Sequence, residues 1–393
     1  MRFVHTSDWH LGREFGSVSL ADDQQAFINW LVALCAERQV ELVVIAGHIY
    51  DRAVAPVDAV RMFRGAVADL RATGAVVAAI TGNHDGADRV ASYGDMLDVG
   101  DVYIRGGYEH TGEVLKLDFN DGPIDLVMLP FLDPQAAPDG WGVGDDPESD
   151  DAFTRRVRRT HQSVLQSAVA SVLPQLSASR SLAVSHAFVA GGAASDSERD
   201  LVVGGTGTVS AELFQPFSYT ALGHLHRPQN VADTPTLRYS GTPLAYSFSE
   251  DHPKSVTLVD IDADGGCTIE HVPVTVGRGV HTIEGAIDML LQARPSADVA
   301  KKFVRAIITD PGVVLDAKQR LSAVYPHVVE IELRPTNADG TPLVDTGVAV
   351  DRRSQSPAEI TMAFWEAVVG SPPGDDERHL LHRAIEHAEG SVA

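Results

Sequence analysis

The chain has 393 residues, 44% of them hydrophobic, which is enough for one large core and a smaller unit. Its formal net charge of −23 repels nucleic acid on average, so a DNA partner would need metal ions or a local basic surface. Its two cysteines exclude a disulfide framework, and the absence of a signal-like start or of an apolar run of about 18 residues predicts a cytoplasmic protein without membrane spans.

Strand and helix patterns alternate through the first half of the chain, as is typical of an α/β sheet with helices on its faces. A strand over residues 2–6 precedes a helix that begins at Asp22 and carries apolar residues at helical spacing. A second helix is predicted over about residues 56–73. Further strands are predicted at residues 41–46, 75–80, 113–119, 124–130, 181–185, 219–222 and 255–260.

The spacing of apolar residues changes after a hairpin turn at residues 260–268. A second compact α/β unit is predicted there, with helix 281–292, strand 301–309, helix 316–324 and strand 327–333. The composition of residues 335–357 indicates a linker. Beyond it lie two apolar stripes at helical spacing: Ile360, Phe364 and Val368, then Leu380, Leu381, Ala384, Ile385 and Ala388. These helices either dock on the body or bind a partner helix, and the pattern leaves both open.

One arginine run stands out against the acidic background of the chain. It comprises Arg155, Arg156, Arg158 and Arg159, on a predicted helix between residues 150 and 173. The run could contact phosphates, but a solvated helix face is favoured because charge runs are usually of that kind.

Five short polar motifs each directly follow a predicted strand, where open α/β sheets present their ligand-binding loops. They are Asp8-Trp9-His10, Gly47-His48-Ile49-Tyr50-Asp51, Gly82-Asn83-His84-Asp85, His186 and Gly223-His224-Leu225-His226. Singly, each is ordinary for a loop, but their joint order indicates one site. Carboxylate, imidazole and carboxamide groups together suit manganese, iron or zinc. The pattern therefore predicts two-metal hydrolysis of a phosphate ester.

These motifs are similar to those of the calcineurin-like metallophosphoesterases, and over residues 1–275 the chain most resembles the SbcD nucleases. The resemblance is carried by His-Thr-Ser-Asp-Trp-His-Leu-Gly (residues 5–12), Gly-His-Leu-His-Arg-Pro-Gln (223–229) and Ser-Gly-Thr-Pro (240–243). It implies a layered sandwich of two sheets flanked by helices. The implied parts are a nuclease domain at 1–275, a small α/β capping domain at 276–335, a linker at 336–356 and a helical SbcC-binding segment at 357–393.

The resemblance also implies roles for the site residues. The expected ligands of two divalent metal ions, with manganese the expected metal, are Asp8, His10 and His226 for one ion and Asn83, His186 and His224 for the other. His84 would approach the scissile phosphate and assist the leaving oxygen, with Asp51 or Asp85 orienting its ring. A homodimer is implied that acts on DNA ends and hairpins with the SbcC ATPase, which its C-terminal helices clasp.

The second motif departs from the family pattern at position 48. The family has Gly-Asp-x-x-Asp there, and its first aspartate bridges both metals, whereas this chain has His48. A neutral imidazole offers one lone pair and removes one negative charge, so we expect weak or incomplete metal occupancy and greatly reduced hydrolysis. A one-base change in an active nuclease and a natural variant with altered activity are both open, and the otherwise intact motifs favour the first.

Two other functions remain open at this level. One is a non-catalytic structural subunit of the same complex, which binds SbcC and DNA ends without cutting. The other is a nucleotide or phosphoprotein phosphoesterase on the same fold. The SbcD-like motifs around His10 and His226, and the residues beyond 275, argue against the latter.

Overall fold

The computed structural model describes residues 1–142, 159–193, 207–312, 314–336, 358, 361–362, 365 and 371–390. The strands are β1 (Arg2–Thr6), β2 (Glu14–Phe15), β3 (Val18–Ser19), β4 (Leu42–Ala46), β5 (Val76–Ile80), β6 (Val102–Arg105), β7 (Val114–Phe119), β8 (Gly122–Leu129), β9 (Ser181–His186), β10 (Phe188–Val189), β11 (Thr208–Val209), β12 (Tyr219–Gly223), β13 (Gln229–Val231), β14 (Thr234–Tyr239), β15 (Ser255–Ile261), β16 (Cys267–Pro273), β17 (Val280–Gly285), β18 (Phe303–Ile308) and β19 (Val328–Leu333). The helices are α1 (Ala21–Glu37), α2 (Val57–Ala72), α3 (Ala87–Ala91), α4 (Gly94–Asp98), α5 (His161–Val172), α6 (Ile287–Gln292), α7 (Ala317–Ser322) and α8 (Asp375–Gly390). Within these ranges, no helix has the length and apolar character that crossing a membrane requires.

Two six-stranded sheets stack face to face. The first has the order β16-β15-β1-β4-β5-β6 and the second the order β13-β14-β12-β9-β8-β7. A core that includes Phe3, Val44, Leu126 and Val184 fills the space between them. Helices α1 and α2 pack on the outer face of the first sheet, and α5 packs on that of the second. The predicted sandwich of two sheets flanked by helices is confirmed.

The central strands form where the sequence is continuously apolar, because both faces of each sheet are covered. All five residues of β4 are buried, and β1, β4 and β5 run parallel to one another. In the second sheet β9 and β12 are also parallel neighbours. The carboxyl ends of these five strands carry the five motifs. Strands β6 and β14 are additions that the sequence patterns did not indicate.

The helix predicted over residues 281–292 is wrong in its first half. Residues Val280–Gly285 form β17, and the helix α6 begins only at Ile287. The run is too short for its pattern alone to separate a strand from a helix, and β17 pairs in parallel with β18. A three-stranded sheet, β17-β18-β19, results, and α6 and α7 share a core with it.

Aromatic and ionic contacts join this small sheet to the β2–β3 hairpin and to α1. Phe303 stacks on Phe15 with ring centroids 4.8 Å apart and an interplanar angle of 3°. The Arg278 guanidinium lies 4.3 Å from the centre of the Phe303 ring. Its Nη2 donates to the carboxylate of Asp23 in α1 at 2.5 Å, and its backbone N–H donates to the same group at 2.8 Å.

Removing the Asp23 charge is expected to destabilise this junction. The Asp23 side chain is 7% exposed and that of Arg278 is 22% exposed, so an Asp23→Asn change leaves a largely buried guanidinium without its counter-ion. We expect the free energy of unfolding, measured by urea titration, to fall by about 2 kcal/mol. The neighbouring Asp22 is exposed, and Asp22→Asn serves as the control. Equal losses for both variants would show that the ion pair is not an anchor.

The chain divides into two units, Met1–Leu333 and Arg334–Ala393. In the second unit, α8 carries the last predicted stripe, and Leu380 on it is 62% exposed. The first stripe of the C-terminal region and most of the predicted linker lie outside the described residues, as do Arg155, Arg156 and Arg158. Arg159 is described and buried, and it donates to the carbonyl oxygens of Ala137 and Pro138.

Candidate metal centre

The five motifs meet at one edge of the sandwich, between the ends of the two sheets. Six of their side chains are almost completely buried, with exposed fractions of 0–3%. These are Asp8, His10, His48, His186, His224 and His226. Asn83 joins them through its carboxamide oxygen, which hydrogen-bonds to His48. Every residue predicted as a ligand therefore lies in this cluster.

The side chains form two overlapping groups whose ligand atoms lie within 4.8 Å of one another. The first group is Asp8, His10, His48 and His226, and the second is His48, His186 and His224. His10 and His226 thus share a group with Asp8, while His186 and His224 share the other, and His48 is the member that both groups share. A further group of the same kind joins His10 with Asp51 and His84 at the rim.

The backbone holds several of these residues in a conformation that side chains other than glycine rarely adopt. The φ angles are 55° at Asp8, 45° at His10, 51° at His48 and 112° at His224. Such angles are unfavourable by about 1–3 kcal/mol each and cluster at functional sites, where the surrounding fold enforces them. Hydrogen bonds between loops do so here, since Asp8 N–H donates to the Gly47 carbonyl and His10 N–H to that of His48, both at 2.9 Å.

The imidazoles have the properties of metal ligands. Among the residues that the structure describes, neither ring nitrogen of His10 and not the Nδ1 of His224 has a hydrogen-bond partner, although all are buried. Buried polar atoms are normally paired, so these nitrogens fit a bound cation. Burial lowers the pKa of His10 well below its usual value and that of His186 and His224 to about 3. The rings are therefore neutral at neutral pH, which is the form that binds metals.

His48 lies between the two groups and contacts both. Its Nε2 hydrogen-bonds to Oδ1 of Asn83 and lies 3.1 Å from Nε2 of His186. Since the amide oxygen only accepts, Nε2 of His48 carries the proton and Nδ1 carries the lone pair. That Nδ1 is 2.7 Å from Oδ1 of Asp8 without being hydrogen-bonded. The ring thus turns a lone pair toward the first group and an N–H toward the second.

The three residues predicted for catalysis occupy different environments. His84 is half-buried at the rim, and its Nδ1 donates to the backbone carbonyl oxygen of Asp51 at 2.9 Å. The carboxylate of Asp85 accepts from the backbone N–H groups of Ile49, Tyr50 and Gly82 at 3.1, 2.8 and 2.8 Å. Of the two residues expected to orient His84, Asp51 contacts its ring, through the backbone carbonyl oxygen. Asp85 instead ties the second motif to the third, and burial raises its pKa to about 7.

Two further residues at the site were missed by the sequence analysis. Glu250 is buried and its Oε1 lies 2.9 Å from Nδ1 of His226. Arg13 donates to Oδ1 of Asp51 at 3.0 Å and lies over the ring of Tyr246. Neither follows a predicted strand within a recognisable motif, so no local signal distinguishes them from neighbouring charged residues.

Gly223 is required by the close approach of the two sheets. A Cβ at this position would lie 1.7 Å from the carbonyl oxygen of Ala46 and 2.9 Å from Nδ1 of His186. That Nδ1 donates to the same carbonyl at 2.8 Å, so β4, β9 and β12 meet directly beneath the cluster. The motif alone predicts a tight turn at this glycine, but the structure shows that its role is close packing.

Comparison with known proteins gives the family. Residues 1–134 match the calcineurin-like phosphoesterase family. The SbcD component of the SbcCD nuclease of Bacillus subtilis is 33% identical over 284 residues, which cover 71% of each chain. That of Staphylococcus epidermidis is 26% identical over 334 residues, 84% of this chain and 85% of its own. A solved dimetal phosphatase from Danio rerio is 15% identical, with a TM-score of 0.41, over 70% of this chain and 96% of its own.

A two-sheet sandwich with a buried Asp/His cluster at its strand ends, together with the match over residues 1–134, defines a calcineurin-like phosphoesterase, a metal-dependent class. Within that class, the identity and coverage shared with the B. subtilis protein indicate one particular family. The chain belongs to the SbcD family of nuclease subunits.

Proposed function

We propose that this chain is the subunit of an SbcC–SbcD complex that hydrolyses DNA, as exonuclease and endonuclease, in the processing of DNA ends, recombination and repair. The observation that carries this proposal is the pair of overlapping groups of buried ligands at the strand ends of an SbcD-family chain. Two divalent ions fit it, and their mixed oxygen and nitrogen ligands suit manganese.

Asp8, His10 and His226 would hold one ion, and Asn83, His186 and His224 the other. Bound together, such ions polarise a phosphodiester and supply a nucleophilic hydroxide at neutral pH. His84 stands at the rim with Nδ1–H donating to the Asp51 carbonyl, so its doubly protonated ring, the imidazolium, would give the Nε2 proton to the leaving oxygen. Arg13 steadies Asp51 from the solvent side.

His48 is proposed to weaken this centre on one side. Its Nδ1 lone pair beside Asp8 makes it a further ligand of the first ion, whereas its Nε2–H takes up the Asn83 oxygen that the second ion needs. The absent carboxylate also leaves the charge of two cations less compensated. The chain would then bind one ion well and hydrolyse DNA slowly.

The experiment that tests the proposed reaction is cleavage of a linear DNA duplex by the chain with SbcC, with manganese and with the metal chelated. Metal-dependent release of nucleotides from DNA is the expected result. Faster hydrolysis of a mononucleotide diester or a phosphopeptide than of DNA would favour the phosphoesterase alternative, and binding to SbcC and DNA without any cutting would favour the structural subunit.

SbcC binding is assigned to residues 357–393, with the exposed Leu380 of α8 in support. A chain that ends at residue 356 is expected to lose capture of SbcC in a pull-down, and Leu380→Glu is expected to weaken it. Arg378→Glu, a charge change on the same helix, is the matched control for Leu380→Glu. An unchanged melting temperature of the shortened chain would show that its body is folded. Undiminished capture by the shortened chain would remove this assignment.

A homodimer and the division into nuclease domain (1–275), capping domain (276–335) and linker are also proposed. Exposed apolar side chains around α4 support a self-association surface, since Tyr93, Met96 and Val99 are 68%, 75% and 92% exposed. A cytoplasmic location remains a prediction.

A further inference from the structure

Glu250 lies outside the five motifs and is joined directly to one of the candidate ligands. Its side chain is fully buried, with an exposed fraction of 0%. Oε1 accepts from Nδ1 of His226 at 2.9 Å, while Oε2 accepts from Nζ of Lys254 at 2.5 Å and from Oγ1 of Thr242 at 2.9 Å. Both oxygens therefore accept hydrogen bonds. Oε1 accepts from the candidate ligand His226, and Oε2 accepts from Lys254 and Thr242, which together form a clamp on the carboxylate.

This contact determines which nitrogen of His226 can meet a cation. Because a carboxylate only accepts, Nδ1 carries the proton and the lone pair stays on Nε2. The other candidate imidazoles are held differently: the ring of His186 donates to a neutral carbonyl, and the ring nitrogens of His10 have no hydrogen-bond partner in the described part of the chain. Among the candidate ligands in those ranges, only His226 has its ring hydrogen-bonded to a carboxylate.

A buried carboxylate at this place is not explained by stability alone. Burial would raise the pKa of Glu250, but the hydrogen bond from His226 and the charge of Lys254 outweigh it and hold the pKa well below its usual range. The group is thus an anion removed from water, an arrangement that apolar side chains of similar size can replace without loss of stability. Its orientation toward a metal-site histidine points to a role in the centre.

We propose that Glu250 is a positioning residue of the metal centre, which fixes the tautomer and the direction of His226 and makes its Nε2 a stronger ligand. A carboxylate on the far nitrogen of a ligating histidine raises ligand basicity and restricts the ring, and its loss weakens metal binding. The inference rests on the proposed function, because it requires the ion that Asp8 and His10 share with His226.

The test is the affinity for Mn²⁺ alone, measured by titration calorimetry on the full chain and on its His48→Asp form. Glu250→Gln keeps an acceptor oxygen for Nδ1 but loses the charge, and we expect a dissociation constant about 10 times higher. Glu250→Ala removes both, and we expect a rise of about 100-fold. Thr242→Val leaves Glu250 in place but loosens its clamp, so a smaller loss is expected from a variant that disturbs the fold little.

Asp125→Asn is the matched control, because Asp125 is a buried carboxylate with a lysine partner, Lys116 at 2.7 Å, and two backbone N–H donors. It belongs to β8 and none of its contacts is a candidate ligand, so we expect a lower melting temperature with unchanged Mn²⁺ affinity. Unchanged affinity in folded Glu250→Gln and Thr242→Val chains would overturn the positioning role alone. Failure of the His48→Asp chain to bind any Mn²⁺ would overturn the proposed function, and this inference with it.

Discussion

A His48→Asp chain is expected to cut linear duplex DNA, with manganese and SbcC present, at least about 100 times faster than the chain with His48. The reason is the place of the imidazole between the two ligand groups. Its Nε2–H hydrogen-bonds to the Asn83 oxygen and lies 3.1 Å from Nε2 of His186, so it competes with an ion for both atoms.

An aspartate at position 48 would leave the Asn83 oxygen and Nε2 of His186 available to an ion. Its carboxylate would also offer one oxygen to each of the two ions. A cation acting as Lewis acid on the phosphoryl oxygens stabilises the transition state by several kcal/mol. Recovering about 3 kcal/mol corresponds to about 100-fold in rate. Aspartate also tolerates the left-handed φ of 51° at position 48 better than most residues, so the exchange needs no movement of the backbone.

His48→Asn separates size from charge in this experiment. Asparagine vacates the same space but offers one neutral oxygen, so we expect little recovery of cleavage. Bound manganese, counted by elemental analysis of the isolated chains, is expected to rise from one ion per chain with His48 to two in the His48→Asp form. Equal cleavage by the two forms would mean that a bridging carboxylate is unnecessary here, and our account of position 48 would be wrong.

Gly223→Ala is expected to lower the free energy of unfolding by about 3 kcal/mol or more, measured by urea denaturation. The added Cβ would lie 1.7 Å from the Ala46 carbonyl oxygen, which is backbone and has no alternative rotamer. The two large sheets would have to separate at the strand ends. We therefore expect Mn²⁺ binding to weaken as well, since His186 shares that contact.

Gly65→Ala is the matched control for this substitution. Gly65 lies within α2, and no atom lies within 4 Å of the position that its Cβ would take. Alanine in a helix is favoured over glycine, so the control is expected to gain about 0.5–1 kcal/mol. If Gly223→Ala unfolded at the same urea concentration as the parent chain, the two sheets would accommodate the added methyl group more easily than the structure indicates.

The motif residues could be grouped from the sequence because they obey a simple geometric rule. Each motif follows a largely buried strand, of which β4 is continuously apolar, and parallel strands bring their carboxyl ends to one edge. The residues missed are those whose contacts follow no such rule. Glu250 lies 24 residues after His226, in a segment outside the helices and strands that carries no periodic pattern.

Two other differences have equally specific causes. The contact that orients His84 uses the backbone carbonyl of Asp51, an atom that every residue possesses and that no sequence pattern reveals. The short run that forms β17 fits a helix or a strand by its pattern, and only pairing with β18 decides between the two structures.

The strained loops beneath the cluster have a consequence for the choice of metal. The left-handed angles at Asp8, His10 and His224 are enforced by hydrogen bonds between loops and by the packing of the sheets. Little ordering entropy is then lost when an ion arrives, because the cage is preorganised. Manganese, iron or zinc would each meet the same arrangement of ligands, so the metal supply of the cell and the softness of the ligands would select the ion.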